Sequence, residues 1–302
     1  MEREGMSRRS FFRKIGRWAA GAGAFLGGGY AYVKEIEPRW LEMKRIHFYH
    51  PKFPPSFSPF TIALFSDTHL GFHFDLNQLE EAIGRIQSEH PDLIIFSGDL
   101  VDDWSDFQPS GDLVQHLTRL EAPFGKFAVY GNHDHGSMGT VLYRRLMEDA
   151  GFHLLFNSSL SIDNGIDQFY LLGVDDAVLG SPDLEKALEG AGNGDSFRLL
   201  VSHCPDFADI TKNYSVHLQL SGHSHGGQVK IPFFGAVITP YYGKRYTEGI
   251  YPLTEDFTLY VNRGLGTSRL PFRFLCRPEI TILTLEYLRK DEPTGEAGAT
   301  QF

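Results

Sequence analysis

From Thr61 onward the chain alternates short apolar runs with polar, glycine-containing turns. Thr61-Ile62-Ala63-Leu64-Phe65, Leu93-Ile94-Ile95-Phe96 and Phe127-Ala128-Val129-Tyr130 are apolar at nearly every position. Runs of this length without alternation read as buried parallel strands. Leu199-Leu200-Val201 and Leu218-Gln219-Leu220 repeat the arrangement, and Phe169 to Val174 and Ile280 to Leu285 add strand-like runs. Between the early runs, Leu76, Leu79, Ile83 and Ile86 recur at spacings of three and four, which predicts an amphipathic helix covering a sheet. Asp112 to Leu120 and Met138 to Ala150 have similar length and weaker periodicity. The pattern alone reaches an α/β class.

The turns carry the chemistry. Five polar blocks follow the apolar runs: Asp67-Thr68-His69, Gly98-Asp99-Leu100-Val101-Asp102, Gly131-Asn132-His133-Asp134, His203, and Gly222-His223-Ser224-His225. They fall at strand C-terminal ends, the usual site in an open α/β sheet. A single such triplet arises by chance, whereas five in this order supply carboxylate, amide and imidazole ligands for a pair of metal ions. Two metals about 3.5–4 Å apart clamp the attacking and leaving oxygens of a phosphoryl displacement and acidify a bound water. Imidazole and carboxylate suit first-row divalent ions, so manganese, iron and zinc all fit, and a neutral Asn oxygen keeps the site charge low enough to accept an anionic phosphate.

At these blocks the chain resembles the calcineurin-like metallophosphoesterase superfamily, with its pattern DxH, GDxxD, GNH[DE], H, GHxH intact between about Thr61 and Leu285. The resemblance implies a four-layer fold, a two-sheet α/β sandwich with helices outside. It implies that Asp67, His69 and His225 hold one ion, that Asn132, His203 and His223 hold the other, and that Asp99 bridges them. It further implies attack by a metal-bridging hydroxide, with His133 protonating the leaving oxygen and Asp102 orienting His133.

The same resemblance constrains the substrate. Asp103 stands where the serine/threonine protein phosphatases carry an Arg, and His133-Asp134 replaces their His-Glu, which disfavours a protein phosphatase. Gly222 to Gln228 and Val261-Asn262-Arg263-Gly264-Leu265-Gly266 look like the membrane-associated bacterial branch, several members of which act on lipid-linked phosphodiester or pyrophosphate substrates, including UDP-2,3-diacylglucosamine. A phosphodiesterase or pyrophosphatase is therefore expected. A broad-specificity phosphomonoesterase and a non-catalytic scaffold are the alternatives. Phe233, Phe234, Tyr241, Tyr242 and Tyr246 interleave with Lys244, Arg245, Arg263, Arg269 and Arg273. That mix suits core and loop packing, or a grip on an acyl chain and a phosphate in which Arg263 and Arg269 contact the substrate.

The N-terminus reads differently. Ser7-Arg8-Arg9-Ser10-Phe11-Phe12-Arg13 is basic and aromatic, an uncharged Gly/Ala-rich run follows from Trp18 to Val33, and no acidic residue lies between Gly5 and Lys34. Residues 1–34 are thus expected to be a targeting segment that resembles a twin-arginine export signal, with the twin-arginine translocase as partner. The uncharged run is shorter than the ~20 residues that span a bilayer, and it has no clean A-x-A site. Cleavage and retention as a membrane anchor both stay open, and the enzyme would act on the outer side of the cytoplasmic membrane or in the wall. Residues 35–60 read as a linker, with a turn at Phe53-Pro54-Pro55-Ser56, 61–287 as one domain, and 288–302 as a disordered tail.

A hydrophobic content of 42% supports a large core, and a net charge of −10 argues against nucleic acid as a partner, because phosphate recognition leaves a basic footprint. A phosphorylated small molecule or lipid remains the expected partner. Cys204 and Cys276 form no disulfide framework. Cys204 follows the His203 ligand candidate and reads chiefly as a small buried residue.

Overall fold

Residues 8–107, 111–136, 138–288 and 298–301 are described by a computed structural model. One sheet comprises β1 (Glu42–His50), β2 (Phe60–Phe65), β3 (Leu93–Phe96), β4 (Lys126–Ala128), β5 (His153–Leu154), β14 (Glu279–Tyr287) and β15 (Gly298–Gln301). Its spatial order is β15-β1-β14-β2-β3-β4-β5. The second sheet comprises β6 (Ser158–Asp163), β7 (Gln168–Gly173), β8 (Arg198–Val201), β9 (Leu218–Ser221), β12 (Gly249–Pro252) and β13 (Thr258–Val261), in the order β12-β13-β9-β8-β7-β6. A small hairpin, β10 (Lys230–Ile231) and β11 (Gly235–Ala236), stands apart from both.

The near-continuous apolar runs are explained by burial on two faces. In β2, Ile62 and Leu64 join Leu171, Leu199 and Leu220 of the facing sheet, while Ala63 and Phe65 point the other way into a core with helices. Those helices are α2 (Leu76–Ser88), α3 (Gly111–Thr118) and α4 (Gly139–Asp149), counting α1 (Arg8–Ala31) as the first. The predicted stripe on α2 buries Leu79, Ile83 and Ile86, each worth about 1.5–3 kcal/mol of transfer free energy. Asp75 accepts from the Gln78 amide while the Gln78 side chain accepts from the Asp75 amide, which closes the helix start. On the outer face of the second sheet, α5 (Leu184–Glu189) packs Leu184 and Ala187 against Leu172, Leu200 and Leu259. The fold is therefore the expected mixed α/β arrangement of two large sheets with flanking helices.

Two differences from the sequence reading concern the edges. The stretch 35–60 is not a plain linker, since β1 runs parallel to β14 from Glu42 opposite Glu279 to His50 opposite Tyr287. Ahead of it, Glu37 is buried and accepts a hydrogen bond from the Cys276 amide. Within the tail, Gly298–Gln301 pairs antiparallel with β1, while residues 289–297 and 302 lie outside the described residues. The leader from Arg8 to Ala31 is an exposed helix, joined to the domain where Tyr30 meets the Phe272 ring at 5.8 Å and the Val33 carbonyl accepts from the Arg273 amide. Among the described residues no helix is long and apolar enough to cross a membrane. Ser7 and the residues before it lie outside the described residues.

Candidate metal centre

The two sheets meet so that the loops after β2, β3 and β4 face the loops after β8, β9 and β13. All seven candidate ligands sit on the first five of these loops. Five of the seven adopt positive φ: Asp67 at 52°, His69 at 44°, Asp99 at 61°, His223 at 67° and His225 at 51°. Left-handed backbone at non-glycine residues is costly and collects at functional sites. The loops also approach too closely for side chains at some positions. A Cβ on Gly131 would lie 2.2 Å from Asp99 Oδ1, and one on Gly222 would lie 2.4 Å from Asp67 Oδ2.

Three groups of ligand atoms converge among the described residues: Asp67 with His69 and His225 and Asp99 with His203 and His223 are separate ligand groups, and a third, His69 with Asp102 and His133, shares His69 with the first. Asp99 Oδ2 lies 3.5 Å from His69 Nε2 and 3.2 Å from His203 Nε2, so one carboxylate oxygen stands between the first two groups. Asp99 Oδ1 accepts the His133 amide at 2.8 Å, which fixes the orientation of that carboxylate. Asp67 Oδ1 lies 3.6 Å from His225 Nε2, and its other oxygen accepts from the Ser66 hydroxyl and the His223 amide.

The imidazole tautomers test whether cations fit. His203 Nδ1 lies 2.7 Å from the Ser97 carbonyl, and His223 Nε2 lies 2.7 Å from the Tyr241 carbonyl. A carbonyl only accepts, so both of those nitrogens carry the proton. The remaining nitrogens, His203 Nε2 and His223 Nδ1, then face each other with lone pairs at 3.1 Å. In the first group, His69 Nδ1 donates to Asp102 at 2.9 Å, which turns the His69 Nε2 lone pair toward His225 Nε2 at 3.1 Å, and His225 Nδ1 is buried without a protein partner. Facing lone pairs at this distance require a proton or a cation between them. Asn132 Oδ1 is buried without a protein partner, as a neutral ligand oxygen would be. The residues present therefore fit divalent metal ions, held by the donor types expected for first-row metals.

Electrostatics agree with that reading. Burial works against an ionised Asp99, yet the imidazoles of His203, His133 and His69 hold its carboxyl well below the ordinary range. Burial lowers the His203 imidazole, but the Asp99 carboxylate overrides it and lifts the pKa to about 10. His223 is pushed down to about 4 by burial and by His203 beside it. A basic site next to an acidic one, sharing one carboxylate, is where a cation replaces the proton.

His133 stands at the edge of this cluster, its ring 4.5 Å from that of His69. Its Nδ1 donates to the backbone carbonyl of Asp102 at 2.6 Å, and the Asp102 carboxylate is 3.8 Å away. This corrects the expected role of Asp102: its side chain orients His69, and only its main chain orients His133. The two sequence-predicted arginines also part company. Arg269 lines the mouth of the site with Tyr241 and Ile238. Arg263 does not face the substrate, because its guanidinium is committed to Glu279 and, at 3.0 Å, to Glu42. Arg273 is likewise internal, donating to the carbonyls of Gly264, Gly266 and Cys276. Tyr246 is buried in the core, whereas Phe233 and Phe234 at the turn between β10 and β11 are exposed.

Two contributors escape the sequence reading. Asp134 is fully buried and accepts from the amides of Asp99, Leu100 and Gly131, tying the loops after β3 and β4 together. Burial and the nearby Asp99 raise its carboxyl to about 7. Gln228 clamps both the amide and the carbonyl of Ser268 at 2.8 Å, which places Arg269 at the mouth. The Cys204 thiol donates to Asp176 and stands outside all three ligand groups.

Comparison with known proteins identifies the family. The calcineurin-like phosphoesterase family model matches residues 60–227, and the chain belongs to that family. It is 45% identical over 284 residues to the uncharacterized metallophosphoesterase YkuE of Bacillus subtilis (strain 168), covering 93% of this chain and 98% of that protein. It is 32% identical to the phosphodiesterase YaeI of Escherichia coli (strain K12), covering 93% and 99%. A more distant relative, at 26% identity with 85% and 92% covered, is the UDP-2,3-diacylglucosamine pyrophosphatase LpxG of Chlamydia muridarum (strain MoPn / Nigg). The chain is a metal-dependent phosphoester hydrolase.

Proposed function

We propose that this enzyme hydrolyses a phosphodiester or pyrophosphate bond in a lipid-linked or envelope substrate of the kind exemplified by UDP-2,3-diacylglucosamine. Asp67, His69 and His225 would hold one divalent ion, and Asn132, His203 and His223 the other, with Asp99 shared. Manganese, iron and zinc all suit this set. The observation that carries the reading is the pair of 3.1 Å imidazole nitrogen contacts flanking one Asp99 oxygen. When bound, two such ions neutralise phosphoryl oxygens and supply an acidified water.

The chain's own residues do the rest. Ser97, Tyr241 and Asp102 hold His203, His223 and His69 in the ligating tautomers. His133, anchored through Nδ1, keeps Nε2 for the leaving oxygen, to which it gives a proton as the bond to phosphorus breaks. Arg269 at the mouth is the cation available to a phosphoryl or headgroup charge. The lipid-linked character is supported by Ile238 and Tyr241 at the mouth and by the name of the 26% identical relative.

The reading extends to location. Arg8 and Arg9 open an exposed helix without acidic residues, which supports export by the twin-arginine translocase and action on the outer side of the cytoplasmic membrane. The leader is then either removed or kept as an anchor.

The test is an assay of the manganese-loaded domain on bis(p-nitrophenyl) phosphate and p-nitrophenyl phosphate. Preference for the diester is expected. His133→Asn should keep the metal stoichiometry, lose most turnover on an alkyl ester, and lose less on the activated aryl ester. Preference for the monoester makes the enzyme a phosphatase, and equal losses on both esters remove the general acid.

A further inference from the structure

Asn132 and His133 line two cavities. One, of about 100 Å³, is the metal site, with Arg269 at its mouth. The other, of about 590 Å³, shares Asn132 and His133 with the first and is walled by Trp104, Phe107, Met138, Leu142 and Leu179. Met138 and Leu179 are more than half exposed, so this apolar groove opens to solvent.

Its charges are one-sided. Among the described residues lining it there is no lysine or arginine, and the carboxylates of Asp102 and Asp103 stand at its edge. The imidazoles there are His133 itself and His135, whose Nε2 is held at 2.8 Å by Asp175. A departing phosphate would therefore meet two carboxylates with no free guanidinium or ammonium to receive it. A departing alcohol with an apolar chain would meet indole, phenyl and aliphatic surface. The cationic side chain at the site, Arg269, lines the metal-site cavity instead.

We propose that this groove is the leaving-group subsite and takes the uncharged, apolar alcohol portion of a phosphodiester, so that diesters with an alkyl leaving group are cleaved in preference to diphosphates. The inference rests on the proposed hydrolase reading and narrows it to its phosphodiester arm, setting aside the diphosphate class that UDP-2,3-diacylglucosamine exemplifies. In the step, a water oxygen bonds to phosphorus and releases one proton to solvent, the bond from phosphorus to the alkoxide oxygen breaks, and His133 gives that oxygen its proton and is reprotonated from solvent. The products are a phosphomonoester, carrying the charge, and a neutral alcohol that leaves through the groove.

The test uses the manganese-loaded full chain with methyl decyl phosphate, and with the diphosphate bearing the same two alkyl groups. Products are identified by mass spectrometry, with bis(p-nitrophenyl) phosphate as the control substrate. Decanol and methyl phosphate are expected in at least about tenfold excess over methanol and decyl phosphate, the discrimination an apolar pocket supplies. The diphosphate should be the poorer substrate. Leu179→Asp, at an exposed position, should erase the decanol preference while keeping the metal stoichiometry. Methanol release, faster cleavage of the diphosphate, or an unchanged product ratio in Leu179→Asp would each overturn the proposal. Cleavage of the control without turnover of either alkyl substrate also overturns it and leaves the hydrolase reading standing. Failure on the control as well removes that reading itself.

Discussion

Asp102 serves two imidazoles through two different atoms, and the difference can be measured. Its carboxylate fixes His69, whereas its backbone carbonyl fixes His133. Asp102→Asn keeps the main chain and weakens only the hold on His69, so metal affinity should fall about 10–100-fold, as read by calorimetric titration with manganese. The ratio of alkyl to aryl ester turnover, which reports on His133, should stay at the wild-type value. If that ratio collapses as in His133→Asn, the carboxylate orients His133 after all. The resemblance implies Asp102 on His133, and a sequence motif does not tell a carboxylate from a main-chain carbonyl of the same residue. Arg263 was misplaced for a related reason. Its partners Glu42 and Glu279 stand on β1 and β14, the first at the other end of the sequence, and a buried carboxylate claims an arginine that a linear pattern shows as free.

At the scale of elements, the ligands were legible because each follows an apolar run, and a strand that is apolar on both faces has nowhere to place a polar group except past its end. β1 was not legible, since Glu42, Lys44, Arg45 and His47 interrupt it and only Ile46, Phe48 and His50 are buried. A half-buried strand beside the sheet edge resembles a polar linker until β14 is placed next to it. The link between β3 and β4 depends equally on tertiary context. Asp134 gathers three amides from their two loops, and a buried donor left unpaired costs about 1–3 kcal/mol. Asp134→Ala should therefore lose several kcal/mol in urea unfolding and, because Asp99 is held by the same clamp, reduce the metal bound per chain. Full metal content in a destabilised variant would show that the clamp serves stability alone.

For the whole molecule, the two sheets share one apolar interior, and that interior contains a pair of histidines remote from the metal site. His50 on β1 and His217, just before β9, lie with ring centroids 4.7 Å apart beside Phe197, both almost fully buried. Burial lowers His50 to about 4, and burial together with the charge on His50 lowers His217 to about 3. Both values lie below the ordinary 6.5 of an unfolded chain, so between pH 4 and 6.5 the unfolded state binds protons that the folded state refuses. The stability from keeping these rings neutral is therefore fully present above pH 6.5 and is lost as pH falls toward 4, with a limiting slope of about 2.7 kcal/mol per pH unit for two sites. Metal ligands also titrate in acid, so the slope should be measured by urea unfolding of chelator-treated protein at several pH values. His50→Phe keeps a ring against Phe197 and removes one titrating group, and it should roughly halve the slope. A slope unchanged by that substitution would assign the acid sensitivity to the carboxylate and imidazole cluster at the strand ends, and the interior between the sheets would then be indifferent to pH.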